Sequence, residues 1–190
     1  FRDYQERGRS FTSMAVETGW AANLTGVGEP VRLQGSRVTG RYFGTLEVPA
    51  LHGRTLQPGE DSQGREHVVV LSYALWQRLF GADPGVVGRM LQLNGESFQV
   101  VGVMPREFRD FFNRNVELWA PLVFRPDQLT DENRTSEFLN LTARMREGVT
   151  VADAAAELRS IGEQLKQQYP DTYAPDWGLG VTALSDQATG

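Results

Sequence analysis

Apolar spacing changes several times along this chain, and each change marks an element. Val31 to Val38 alternates and is rich in β-branched residues, as is the shorter run Asn23 to Val27, with Gly26, Gly28 and Pro30 as turn material between them. Both runs read as strands. Val68-Val69-Val70-Leu71 is a continuous apolar run of strand length and predicts a buried strand. Met90 to Leu93 and Ser97 to Val103 flank Asn94-Gly95, a hairpin signal because both turn positions need positive φ. Glu117 to Leu122, Phe138 to Arg146 and Leu179 to Leu184 read as three further strands, the last followed by a polar tail, Ser185 to Gly190.

Helical spacing occurs in three places. Asp3 to about Glu17 carries Tyr4, Phe11, Met14 and Ala15 at roughly helical intervals, so a helix is predicted there, weakened by Gly8. Ser72 is placed to cap a short helix, Tyr73 to Phe80, closed by Gly81, whose Leu75, Trp76, Leu79 and Phe80 read as core packing. Thr150 with Asp153 resembles a capping box, and the helix it opens carries Val151, Ala154, Ala155, Leu158, Ile161 and Leu165 on one face before Pro170 stops it. Pro58 to Glu66 is a polar loop; Phe108 to Asn115 is irregular and aromatic. The order predicts an α+β fold in which a strand-rich block of about 45 to 125 is inserted between chain ends that must pair to bury their apolar faces.

Composition narrows the function. The 190 residues are 40% hydrophobic and 23% charged, values of an ordinary globular domain. No apolar run approaches the ~20 residues of a membrane-spanning helix, and no signal peptide is visible. The chain opens on Phe1 rather than Met and reads as a piece of something longer. A net charge of -5, with scattered arginines that read as solvated surface, argues against a nucleic-acid partner. The absence of cysteine removes disulfides, cysteine-ligated zinc and thiol catalysis.

Candidate chemistry is sparse. Gly26-Val27-Gly28 opens like a dinucleotide fingerprint, but Val31 stands at the third glycine position and no helix follows to offer its free amides. There is no phosphate loop ending in Gly-Lys-Ser/Thr, so the chain is not expected to be an ATPase. His52 and His67 lack partners at ligand spacing and read as boundary residues. Glu60-Asp61 and Asp131-Glu132 are loop carboxylates expected to face solvent. Ser72 lacks the glycines of a nucleophile elbow. Asn23, Asn133 and Asn140 open short glycosylation-like patterns of a kind that arises by chance. Phe108, Phe111 and Phe112 are the remaining candidates, either a loop folded back on the core or an apolar patch for a partner or cargo.

Several motifs, in order, carry a family resemblance: Arg41-Tyr42-Phe43-Gly44-Thr45-Leu46, Gly53-Arg54-Thr55-Leu56, Val68 to Ser72, Leu75-Trp76-Gln77-Arg78-Leu79-Phe80-Gly81, Val101-Gly102-Val103-Met104-Pro105, Ala143 to Thr150 and Gln168-Tyr169-Pro170-Asp171-Thr172. Together they resemble the MacB-like periplasmic core domain of bacterial ABC-transporter permeases, in a style similar to the duplicated permeases of soil bacteria. The resemblance implies two lobes: a porter-like α/β lobe from residues 1–44 and 126–190, and an inserted strand-rich lobe from 45–125. It implies a non-catalytic extracytoplasmic domain with no cofactor and no catalytic or metal-binding residues. By the same resemblance, the motion of membrane helices, driven by ATP in the cytoplasm, passes into the periplasm (mechanotransmission).

The implied partners are an ATP-binding subunit reached through membrane helices outside this sequence, a second permease copy, and a periplasmic adaptor or cargo. The isolated chain is expected to be a monomer. The alternative is a periplasmic module that captures a lipoprotein, peptide or envelope protein through Phe108, Phe111 and Phe112. A hydrolase resting on Ser72, His52 or the acidic pairs is a third reading, without the partner residues such chemistry needs.

Overall fold

The computed structural model describes residues 1–134, 138–174 and 177–184. Its organising element is β1 (Phe11–Thr25), a strand of 15 residues that is paired on both edges. One edge carries β2 (Val31–Val38), antiparallel from Glu17↔Val38 to Leu24↔Val31. The other carries β8 (Asn140–Met145) along the first half of β1 and β5 (Met90–Leu93) at Leu24 and Thr25. The sheet then closes on itself. β2 runs parallel to β7 (Leu118–Pro121), β7 antiparallel to β4 (Val68–Leu71), β4 parallel to β6 (Glu96–Val103), and β6 antiparallel to β5, which returns to β1. A two-residue strand, β3 (His52–Gly53), extends β6.

The ring has a core on each side of its wall. Inside lie Ala22, Leu24, Leu33, Val69, Leu71, Leu91, Leu93, Phe98, Val100 and Leu118, joined by Leu75, Trp76 and Phe80 of α3 (Tyr73–Phe80). On the outer face Val38, Val70, Val101, Met104 and Trp119 pack under Tyr42 and Phe43 of α2 (Tyr42–Leu46) and Leu56. β4 is therefore apolar at every position because both of its faces are covered. Burying each such side chain contributes roughly 1.5–3 kcal/mol.

A third cluster ties the chain ends. Tyr4 of α1 (Arg2–Arg7), Phe11 and Met14 of β1, and Ala154, Leu158, Ile161 and Leu165 of α4 (Val151–Gln168) pack together with Tyr173. The capping box of Thr150 and Asp153 opens α4, and Tyr169 closes it just before Pro170. Ser72 Oγ accepts from Leu75 N at 3.1 Å and Gly81 takes a left-handed φ of 59°, so α3 starts and stops where its sequence signals stand. Asn94 (φ 53°) and Gly95 (φ 83°) form the β5–β6 turn, and Asn94 docks it on β1 through Ala21 O and Asn23 N.

Two expectations are corrected. The N-terminal helix ends at Arg7, and Phe11 to Thr25 is strand. A bulge sets Phe11 opposite Met145 and Ser13 opposite Arg144, leaving Thr12 as an extra residue. Phe11 and Met14 consequently share one face at a spacing of three, which imitates a helix. The strand expected at Leu179 to Leu184 does not form among the described residues, where 179–183 are irregular and the outer edge of β8 has no partner. The polar tail, 185–190, lies outside the described residues. The sheet also crosses the expected lobe boundary near residue 44, since β2 pairs with β7.

A second bulge, in β6, sets Val69 opposite Val100 and Val70 opposite Gly102. Gly102 also pairs with Gly53, and a Cβ there would run into the backbone carbonyl of Arg54. Gly102→Ala is expected to cost at least about 1–3 kcal/mol through overpacking. Gly44→Ala, in the open, helical part of α2, should be neutral or stabilise by up to about 1 kcal/mol. Urea unfolding of both variants checks this; equal midpoints would contradict the close approach.

Candidate functional site

The three candidate phenylalanines occupy different environments. Phe108 is half-buried, its ring 5.3 Å from Trp119 and 5.8 Å from Phe43, so it is part of the outer core. Phe111 is half-buried, while Phe112 is 43% exposed. The loop that carries them is folded back by Asp110, which points inward between them and is only 2% exposed. Asp110 Oδ2 accepts from the Tyr42 hydroxyl (3.0 Å) and Trp119 Nε1 (2.9 Å). Its Oδ1 accepts from the backbone N–H of Phe112 (3.1 Å) and Asn113 (3.2 Å). Four donors thus satisfy one buried carboxylate, the condition under which such burial is tolerated.

A second carboxyl lies beside it. Glu17, 3% exposed, stands in β1 where pairing to β2 and pairing to β8 overlap. Its side chain interacts with Asp110, Tyr42 and Asn140, while Oε2 makes no hydrogen bond. Burial first, and the Asp110 charge second, push the Glu17 carboxyl up to about 7, with Tyr42 and Asn140 acting in the opposite direction. Burial, then the charges of Asp110 and Glu17, hold the Tyr42 phenol protonated far above its ordinary range. Thr142 of β8, on the same face as Glu17 by register, has a buried Oγ1 without a partner. Farther along, Ser13 Oγ meets Thr45 Oγ1 at 2.6 Å, and Arg144 reaches Thr45 O (2.8 Å) and Glu47 (3.2 Å). A polar layer therefore underlies α2 where it crosses β1 and β8.

Sequence reasoning did not single out Glu17 or Asp110. Two signals were present: an acid two positions from Ala15 on what proves to be an inward strand face, and an acid set among phenylalanines. The other candidates have plain structural roles. His52 packs on Trp76 at 4.9 Å, and His67 lies 3.5 Å from Glu96. The expectation that Glu60 and Asp61 face solvent is corrected. Glu60 is 8% exposed, takes both guanidinium nitrogens of Arg54 (2.6 and 3.1 Å) and accepts from Gln57 N, while Asp61 accepts from Gly40 N and Gly59 N. These contacts pin the 57–61 turn to the end of β2.

Asp131 pairs with Arg134, which also holds Asp3 (2.8 Å) and Tyr169. Arg37 is likewise not plain solvated surface: it stacks 4.0 Å over Trp20 and donates to Pro121 O. Thr135 of one glycosylation-like pattern lies outside the described residues. No group of three or more metal-ligating side chains occurs among the described residues. Glu17 and Asp110 are both closed off from solvent, at 3% and 2% exposure.

Residues 2–161 match the family model of the MacB-like periplasmic core domain. The fold resembles the crystal structure of the periplasmic region of MacB from Actinobacillus actinomycetemcomitans at TM-score 0.63 and 19% identity, over 90% of this chain and 74% of that one. It is also similar to the extracellular domain of the noncanonic ABC-type transporter YknZ from Gram-positive bacteria, at TM-score 0.60 and 12% identity, over 86% and 82% of the two chains. A domain of a putative permease protein from Porphyromonas gingivalis aligns at TM-score 0.62 and 11% identity, over 99% of this chain and 83% of that one. No curated protein matches.

The two exposed and buried rings separate by experiment. Phe108→Ser is expected to destabilise the domain by about 2 kcal/mol or more, as for loss of a partly buried aromatic ring, whereas Phe112→Ser should fall within about 0.5 kcal/mol. Asp110→Ala, which strands Tyr42, Trp119 and two amides, is expected to cost about 3 kcal/mol or more. Denaturant midpoints measure all three; equal losses at Phe108 and Phe112 would contradict the packing described.

Proposed function

This chain belongs to the MacB-like periplasmic core domain family, and from that premise we propose that it is a non-catalytic extracytoplasmic domain that transmits movement of membrane helices in an ABC-transporter permease. The chain is homologous to the periplasmic core domains of such permeases. The observation that carries the mechanical reading is the continuity of β1. Its first half belongs, with α1, β8 and α4, to the unit that gathers both chain ends, and its second half is a wall of the closed ring. We read that terminal unit as the porter-like lobe expected from 1–44 with 126–190, and the block 45–125 as the source of most of the ring, with β1 and β2 reaching across. A displacement applied at the ends moves the ring with it, as a rigid-body change of orientation. ATP hydrolysis falls to an ATP-binding subunit or domain, and a second permease copy completes the assembly. The work done is export or a related task in the envelope.

A second reading, capture of a lipoprotein, peptide or envelope protein, draws its support from Phe112, an exposed aromatic side chain on a loop fastened at its base by Asp110. Phe111 and Phe108 frame it from less exposed positions.

The chain has no cysteine, so single labels can be placed cleanly at the exposed positions Met90 and Val151. In the intact permease with its ATP-binding subunit, the distance between Met90→Cys labels on the two copies is expected to change on ATP binding. The distance from Met90→Cys to Val151→Cys within one copy should stay constant. A constant distance between copies, or a change confined to the single domain, would overturn rigid-body transmission. Unchanged cargo association after Phe112→Ser would remove the support for the capture reading.

A further inference from the structure

We propose that the groove between the 63–66 segment and the chain following β7 is a binding site for a small zwitterion with an apolar body, in which Arg37 takes the carboxylate and Glu66 the cationic group. The groove has a volume of about 490 Å³, within the ~300–1,000 Å³ of small-molecule sites. Arg37 of β2, Glu66 and Glu96 line it together with an apolar wall of Leu122, Val123 and Phe124. Its chemistry is set by two demands of opposite sign on that one surface.

Arg37 presents a guanidinium that the fold already holds in place. Its central carbon sits 4.0 Å from the centre of the Trp20 ring and 5.3 Å from that of Phe98, and Nη1 donates to Pro121 O at 3.0 Å. Nε and Nη2, the other edge of the fork, make no hydrogen bond among the described residues, and Arg37 enters no ion pair there. That edge matches the two oxygens of a carboxylate. Burial lowers the guanidinium from its ordinary range, against the charges of Glu96 and Glu66, as for a cation that its neighbours compensate only in part.

Glu66 supplies the opposite demand. Its Oε2 is buried and has no hydrogen-bond donor, a costly condition for a carboxylate. It stands on irregular chain just before β4 and makes no bond to Arg37. The charge balance then selects the ligand. Arg125 pairs with Asp127 at 3.5 Å, which leaves Arg37 with Glu66 and Glu96 as the charged groups of the groove. A lone carboxylate meets repulsion from the two acids, and a lone cation meets Arg37; a molecule carrying both charges answers each. Glu96 is drawn 3.5 Å from His67, so Glu66 is the acid assigned to the ligand's cation. The site is independent of the movement proposed for the domain.

An NMR titration of the 15N-labelled chain tests it. The probe is leucyl-leucine, a zwitterion at neutral pH, beside its N-acetyl and C-amide forms, each of which has lost one charge. The Arg37 Nε–H, the Trp20 indole N–H and the amides of Val123 and Phe124 are expected to shift and saturate. Leucyl-leucine should bind at least about tenfold more tightly than either blocked form. Arg37→Gln and Glu66→Gln should each weaken it by about tenfold. The absence of shifts at these groups up to about 10 mM probe would overturn the proposal. So would equal binding of a blocked form, or unchanged binding in either variant. If Arg37→Gln fails to fold, Glu66→Gln, on irregular chain beside the groove, decides.

Discussion

Hydrogen bonding along both edges of β1 is the constraint on which the rest of the structure depends. At Glu17 the strand is held by β2 on one side and β8 on the other; at Leu24 it is held by β2 and β5. A strand so held cannot slip, because a shift of one residue would turn every side chain to the opposite face. Its two halves therefore fix the register of two units at once. The chain ends assemble on Phe11 and Met14, and the ring closes through Ala22 and Leu24.

This arrangement creates a place where ordinary core packing is interrupted. Where α2 crosses the β1–β8 pair, the outer core under Tyr42 and Phe43 adjoins a polar layer of Ser13, Thr45, Glu17, Thr142 and Asp110. Buried carboxyls of this kind are costly unless donors surround them. Asp110 has four donors; Glu17 has an oxygen with none, and burial raises its carboxyl so that it keeps its proton to higher pH than an exposed one.

Much of the fold was legible in the sequence where local signals and tertiary packing agree. Val31 to Val38, the Asn94-Gly95 turn, the Ser72 cap and the helix opened at Thr150 stand where their residues place them. The start of β1 was not legible, because the bulge at Thr12 gives a strand the apolar spacing of a helix, and nothing local announces a bulge. Leu179 to Leu184 failed for the opposite reason: strand-like composition needs an edge to pair with, and pairing is a long-range fact. The site divides in the same way. Phe108, Phe111 and Phe112 could be found as a cluster, but only packing separates the core ring from the exposed one. Glu17 and Asp110 lie 93 residues apart (110 minus 17), and no spacing rule joins them.

We propose that terminal unit and ring move as one body because β1 is continuous through both. Native-state amide exchange along β1, at a pH where the Glu17 carboxyl is protonated, tests it most directly. The hydrogen-bonded amides on both sides of Glu17 are expected to exchange only with global unfolding, at a common free energy. Faster exchange confined to the half paired with β8, through a separate opening that leaves the half paired with β2 protected, would contradict it.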